Sequence, residues 1–160
     1  MKVDEINLPA VMDEIEKCIS FGMGESNREG VKHPMLDKLN NLPIKADHHY
    51  KSKLFHKARK QLGTVGGGNH FVDIFKDTDD YIWIGVHFGS RGFGHNLTTG
   101  FIAISQNLKF GDRAKEGGMF SQPILFDVNS ETGQDYIECL HIAGEYAYAG
   151  RDWVVDRVLR

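Results

Sequence analysis

The chain has 160 residues, 41% hydrophobic and 26% charged, which is the length and composition of one ordinary globular domain with its own core. No run approaches the roughly 18 consecutive apolar residues of a membrane span, and the opening MKVDEINLPA lacks the apolar centre of a secretory signal, so the cytosol is the expected compartment and no membrane partner is expected. A net charge of -3 gives no overall pull toward nucleic acid, and Cys18 and Cys139 are too far apart for a disulfide framework or a CxxC metal knuckle; both are expected as buried thiols on helices.

Pro9 followed by Val11, Met12, Ile15 and Ile19 predicts a helix over 8 to 19, stopped by Gly22 and Gly24. Residues 25 to 43 are polar and carry Asn27, Gly30, Pro34, Asn40, Asn41 and Pro43, which reads as a long loop with one turn of helix in it. Tyr50, Leu54, Ala58 and Leu62 share a face of a helix over 47 to 62, with Gly63 placed as its cap. A glycine-rich loop, 63 to 68, then feeds a strand over 69 to 75. The acidic turn 77 to 80 leads to the strongest strand signal, YIWIGVHF at 81 to 88, and the two strands are expected to pair as a hairpin. A second glycine cluster, GSRGFG at 89 to 94, reads as a turn before a helix over 96 to 109. A loop with glycine and charge follows at 111 to 118. Beyond the short run 123 to 128, Asn129 and Ser130 can cap a long helix over 131 to 158. The expected fold class is α+β, a small antiparallel sheet packed against helices.

Charge is concentrated locally. Between residues 45 and 60 stand Lys45, Lys51, Lys53, Lys57, Arg59 and Lys60 against Asp47 alone, a segment that either faces phosphates or is a solvated helix surface. The glycines at 63 to 68 either cradle a phosphate with bare backbone N–H groups or make tight turns; neither cluster has the spacing of a dinucleotide or P-loop motif. Strand alternation puts Asn69, Phe71 and Asp73 on one face and His70, Val72 and Ile74 on the other. An amide, an aromatic ring and a carboxylate together suit a purine nucleotide. His87 ends the strong strand just before Arg91, an arginine able to clamp a phosphate by two parallel hydrogen bonds. His70 and His87, each beside a glycine-rich loop, are either core histidines or two ligands of a metal, in which case their rings should lie within about 10 Å of each other.

The string QLGTVGGGNHF at 61 to 71 closely resembles the GNHF signature of the RtcB family of RNA-splicing ligases, and VHFGSRGFGH at 86 to 95 resembles its HxGSRGxGH sequence. NSETGQ at 129 to 134 and YAYAGR at 146 to 151 are similar to the family's NSEEGQ and YAWANR segments, and ISFGMG at 19 to 24 to a glycine-containing segment upstream. The resemblance implies a GTP- and manganese-dependent ligase. It joins RNA 3′-phosphate or 2′,3′-cyclic phosphate ends to 5′-hydroxyl ends, with tRNA halves or broken RNA as substrates and an archease-like activator as a candidate partner. It implies His70 and His87 as metal ligands, Asn69, Phe71 and Asp73 as nucleotide contacts, and Arg91, Asn129 and Arg151 as contacts to RNA phosphate.

This sequence departs from the family pattern in ways that bear on activity. The DxxCG segment, a third metal histidine and the guanylated histidine have no match in it, so no catalytic residue is assigned, and the chain is expected to be a fragment or reduced version, residues 1 to 160, of a larger RtcB-like α/β catalytic domain. Asp73 replaces the usual glutamate, Phe88 a small or hydroxyl residue, and Gly150 the asparagine of YAWANR; Phe88 is expected to narrow the pocket. Two other readings stand beside the ligase: a catalytically dead RNA- or nucleotide-binding module, and a metal-dependent phosphoesterase using His70 and His87 with water.

Overall fold

The computed structural model describes residues 1–115 and 123–160. Asn7 accepts a hydrogen bond from the Ala10 amide, and with Pro9 in the first turn it starts helix α1, Leu8–Cys18, whose buried residue is Ile15. The expected polar loop contains helix α2, Met35–Lys38, and a 3-10 turn, Leu39–Asn41. It also supplies much of the core: Val31, Met35, Leu36, Leu39, Leu42 and Ile44 are all buried. Met35, Leu36, Leu39 and Leu42 do keep helical spacing, but Pro34, Asn40, Asn41 and Pro43 crowd so short a run that its polar composition concealed it.

Helix α3, His48–Gln61, begins on the Asp47 carboxylate, which accepts from the Tyr50 amide at 2.7 Å. Strands β1, Phe71–Lys76, and β2, Ile82–His87, form the expected antiparallel hairpin, with Phe71 opposite His87 and Asp73 opposite Gly85. Asp77 shapes its turn by accepting from the Asp79 and Tyr81 amides and from the Trp83 indole, bonds that hold its carboxyl below the usual range.

Helix α4, Arg91–Ser105, starts five residues before the expected position. The glycines of 89 to 94 are expected in a turn, yet Gly92 and Gly94 lie inside the helix. A Cβ on Gly92 would meet Gln61 Oε1 and the Lys57 side chain, and one on Gly94 would strike Ser90, so close packing and not turning explains them. The loop expected over 111 to 118 falls partly on 116–122, outside the described residues. Helix α5, Glu131–Val158, matches its expected span, and Ser130 caps it by accepting from the Gly133 amide.

Two apolar clusters result. The larger joins α2, α3, α4 and the first two-thirds of α5, with Phe93 and Tyr146 fully buried at its centre. The smaller packs Val72 of the inner sheet face and the following Phe88 with Ile15 and Ile19 at the end of α1, Val65 of the glycine loop and Val154 of α5. Trp153 packs against both. The hairpin's other face, with Phe71, Asp73, Phe75, Trp83 and His87, is exposed. Cys139 is buried on α5, and burial pushes its thiol up to about 12; Cys18, on α1, is only partly buried and donates to Glu14. No helix among the described residues is long and apolar enough to cross a membrane.

Candidate active-site surface

The site is built where the end of α3, the glycine loop, the hairpin and the start of α4 meet. Residues 20 to 22 run beside the glycine loop: the Val65 amide donates to Ser20 O, and the Gly22 amide donates to Val65 O. Gly68, at φ +72°, turns the chain toward β1, a conformation that a side chain would strain. Gly66 has the opposite need. Its Cα is so close to the Nδ1 of His70 and the Nη1 of Arg91 that any Cβ would land on both nitrogens. One bare backbone position therefore lets the imidazole and the guanidinium flank a common point.

His70 and His87 come together, their ring centroids 5.9 Å apart, well inside the expected limit. Two imidazoles on one ion, with metal–nitrogen distances near 2 Å, have centroids roughly 5–6 Å apart, so the spacing fits a shared cation. His70 precedes the strand, so the pleat does not govern its ring, which reaches His87 from the strand's end. Its Nδ1 is buried without a hydrogen-bond partner among the described residues. Burial first, then the charge of Arg91 and the neighbouring His87, holds its imidazole below the ordinary histidine range, leaving a neutral lone-pair donor. The fit to a metal is partial: among the described residues no third His, Cys, Asp or Glu joins the pair.

The alternation expected over 69 to 74 holds from Phe71 on, since Phe71 and Asp73 are exposed while Val72 is buried and Ile74 half-buried; His70, expected with Val72, lies before β1 and meets His87, the residue that stacks on Phe71. Phe71 lies against His87, ring centroids 5.5 Å apart and planes 25° apart, so the proposed base-stacking ring and a candidate metal ligand share one surface. Asn69 is exposed at the mouth of the same loop. Arg91, at φ +53°, reaches back under the glycine loop. Its Nε donates to Thr64 Oγ1 at 3.2 Å and its Nη2 to Gly22 O at 2.9 Å.

Arg151 is also at this end, but its Nη1 donates to Phe88 O at 2.8 Å and its guanidinium stacks on Tyr148, so it braces β2 against α5. Asn129 is not brought to the cluster. It precedes α5 and bonds to Asp127, about 30 Å of helical rise from Arg151. Phe88 does not narrow the pocket either: it is 3% exposed and turned into the smaller core. The basic segment is largely a surface, with Lys45 paired to Glu131 and Lys60 bonded to the Arg28 carbonyl. The other histidines, His48, His49, His56, His95 and His141, are exposed, and His33 accepts from the Met35 amide. Sequence reasoning missed Gln61, at the basic end of α3, and Thr64, in the glycine loop; both are buried polar side chains, and their one signal was their place inside the motif-bearing string 61 to 71.

The family model described as tRNA-splicing ligase RtcB matches residues 2–160. The RNA-splicing ligase RtcB of Escherichia coli strain K12 is 35% identical over 100 residues, covering 62% of this chain and 24% of that protein. The tRNA-splicing ligase RtcB of Archaeoglobus fulgidus is 30% identical over 118 residues, covering 64% and 24%, and that of Methanocaldococcus jannaschii is 29% identical over 130 residues, covering 71% and 13%. The chain thus spans about a quarter or less of the length of these curated relatives. No solved structure matches it. With the family's pattern matched along almost every residue, and its two histidine motifs folded into one surface, the chain belongs to the tRNA-splicing ligase RtcB family.

Proposed function

We propose that this chain carries the nucleotide- and RNA-end-binding surface of a GTP- and manganese-dependent ligase, acting in the cytosol on tRNA halves or broken RNA. The ligase joins 3′-phosphate or 2′,3′-cyclic phosphate ends to 5′-hydroxyl ends, with an archease-like protein as a candidate activator. The single observation that carries the reading is the convergence of His70, His87, Phe71 and Arg91 on one surface, with the His70 and His87 rings 5.9 Å apart. In this reading Phe71 offers an exposed ring to guanine, Asp73 accepts from the nucleotide and Asn69 reaches its phosphate. Arg91 holds the RNA terminal phosphate, and Arg151 and Asn129 contact RNA phosphate further out. A divalent ion held in part by His70 and His87 would offset charge on the transferring phosphoryl group. The phosphoesterase alternative lacks a carboxylate cluster beside the histidines among the described residues.

Positioning groups do not replace an attacking atom. None of the eight histidines stands in a segment resembling that of the family's guanylated histidine. Incubated with labelled GTP and manganese and then denatured, the 160-residue chain should retain no protein-bound label, while reversible GTP binding weakens in Phe71→Ala. Covalent label that disappears in one His→Ala variant would contradict this reading and identify a nucleophile within the chain.

A further inference from the structure

Gln61 and Thr64, 3% and 0% exposed, are the buried polar side chains among the described residues, and both are spent on the surroundings of Arg91. Gln61 Nε2 donates to the carbonyls of Gly24 and Glu25, and its Oε1 accepts from the Gly92 amide at 3.1 Å, which ties the start of α4 to the loop carrying Gly22. Thr64 goes further. A hydroxyl has one proton, and Thr64 donates it to Gln61 O at 2.8 Å, so the oxygen can meet Arg91 Nε only as an acceptor. With Nε so held and Nη2 on Gly22 O, the guanidinium plane is fixed and its Nη1 edge is turned to Gly66 and His70.

We propose that Thr64 is a positioning residue for RNA-end recognition: its oriented hydroxyl holds the Arg91 fork so that the Nη1 edge is presented beside His70 to a terminal phosphate. This rests on the reading of Arg91 as the phosphate-binding residue. A fork set in advance loses less freedom on binding than a swinging one, so removing the acceptor should weaken recognition even where charge and fold are intact. Thr64→Val keeps the shape and removes the acceptor. Gln61 O still accepts from the backbone amide of residue 64, so no buried carbonyl is orphaned by the change.

The test uses the full chain in four variants besides wild type: Thr64→Val, Thr64→Ala as a second deletion, Thr64→Ser as the conservative rescue, and Arg91→Lys. Two readouts are taken on folded protein. One is the Nε–Hε NMR signal of Arg91, assigned by its loss in Arg91→Lys. The other is the binding of one RNA oligonucleotide carrying either a 3′-phosphate or a 3′-hydroxyl. Wild type and Thr64→Ser should show a shifted, slowly exchanging Hε and prefer the 3′-phosphate. Thr64→Val and Thr64→Ala should move Hε to the position of solvent-exposed arginines and lower the preference by roughly tenfold, the scale of a hydrogen bond to a charged group. Unchanged Hε and unchanged preference in both deletions would overturn the proposal. A displaced Hε in Thr64→Val, with phosphate preference unaffected even in Arg91→Lys, would instead overturn the phosphate role of Arg91 and leave the tether no part in RNA-end binding.

Discussion

Phe88 and Gly150, two departures from the family's sequence pattern, touch each other. A Cβ on Gly150 would lie 3.3 Å from Phe88 Cε2 and 3.4 Å from the Gly63 amide nitrogen, so the ring occupies space that a side chain at 150 would otherwise take. The changes are coupled through packing. Phe88→Ser alone should cost about 3 kcal/mol or more by opening a cavity, and Gly150→Asn alone about 1–3 kcal/mol by crowding. The double variant should be less destabilised than the two combined, by at least ~1 kcal/mol in a denaturant cycle, and strict additivity would show the two positions to be independent. His70 supplies a second prediction at this scale. Its imidazole is held below the ordinary 6.5, chiefly by burial and then by Arg91 and His87. Between that lowered value and 6.5 the unfolded chain binds the proton more readily than the folded one, so stability rises with pH through this window and levels off above it. Denaturant melts of His70→Gln should lose that rise, and an unchanged profile would assign it to another group.

At the scale of elements, α5 rests on a cap that the sequence displayed openly. Ser130 Oγ accepts from the Gly133 amide and donates to Asp127 O, so Ser130→Ala should cost about 1 kcal/mol, readable as a lowered melting midpoint; no change would mean that packing alone sets the helix start. Elements with a single strong signal were legible in this way: the caps Asn7, Asp47 and Ser130, the alternation in β1, and the hairpin closed by the Asp77 turn. The start of α4 was not, because glycine carries two meanings. Gly92 and Gly94 looked like turn residues and are contact residues inside a helix, a distinction set by Gln61 and Ser90, which are remote or silent in a local window. Core residues of the 25 to 43 segment were hidden because their helical run is only about two turns long and is flanked and interrupted by Pro34, Asn40, Asn41 and Pro43. Within the site, the sequence motifs pointed to His70, His87, Phe71 and Arg91, and the resemblance added Asn129, which the fold leaves about 30 Å of helical rise from Arg151.

Across the whole molecule, α5 acts as a spine between two apolar clusters, with Trp153 packed against both, while the hairpin's inner face is buried and its outer face carries the candidate site. The candidate site thus stands on a surface whose underside is packed: Val72 and Phe88 are buried in the smaller cluster, and the glycine loop is hydrogen-bonded to residues 20 to 22. That support lets two imidazoles and a guanidinium of like charge tendency stay close without a neutralising partner among the described residues, an arrangement that suits a bound cation only if the imidazoles are neutral and suits an anion beside Arg91. In the proposed reading His70 and His87 share a divalent ion. It is tested most directly by titrating the chain with manganese and following paramagnetic broadening of the imidazole signals, which detects even weak binding. His70 and His87 should broaden first and together, and His87→Ala should abolish the selective broadening of His70. Broadening centred on the exposed His48, His49 and His56 of α3, or none that singles out His70 and His87, would contradict it.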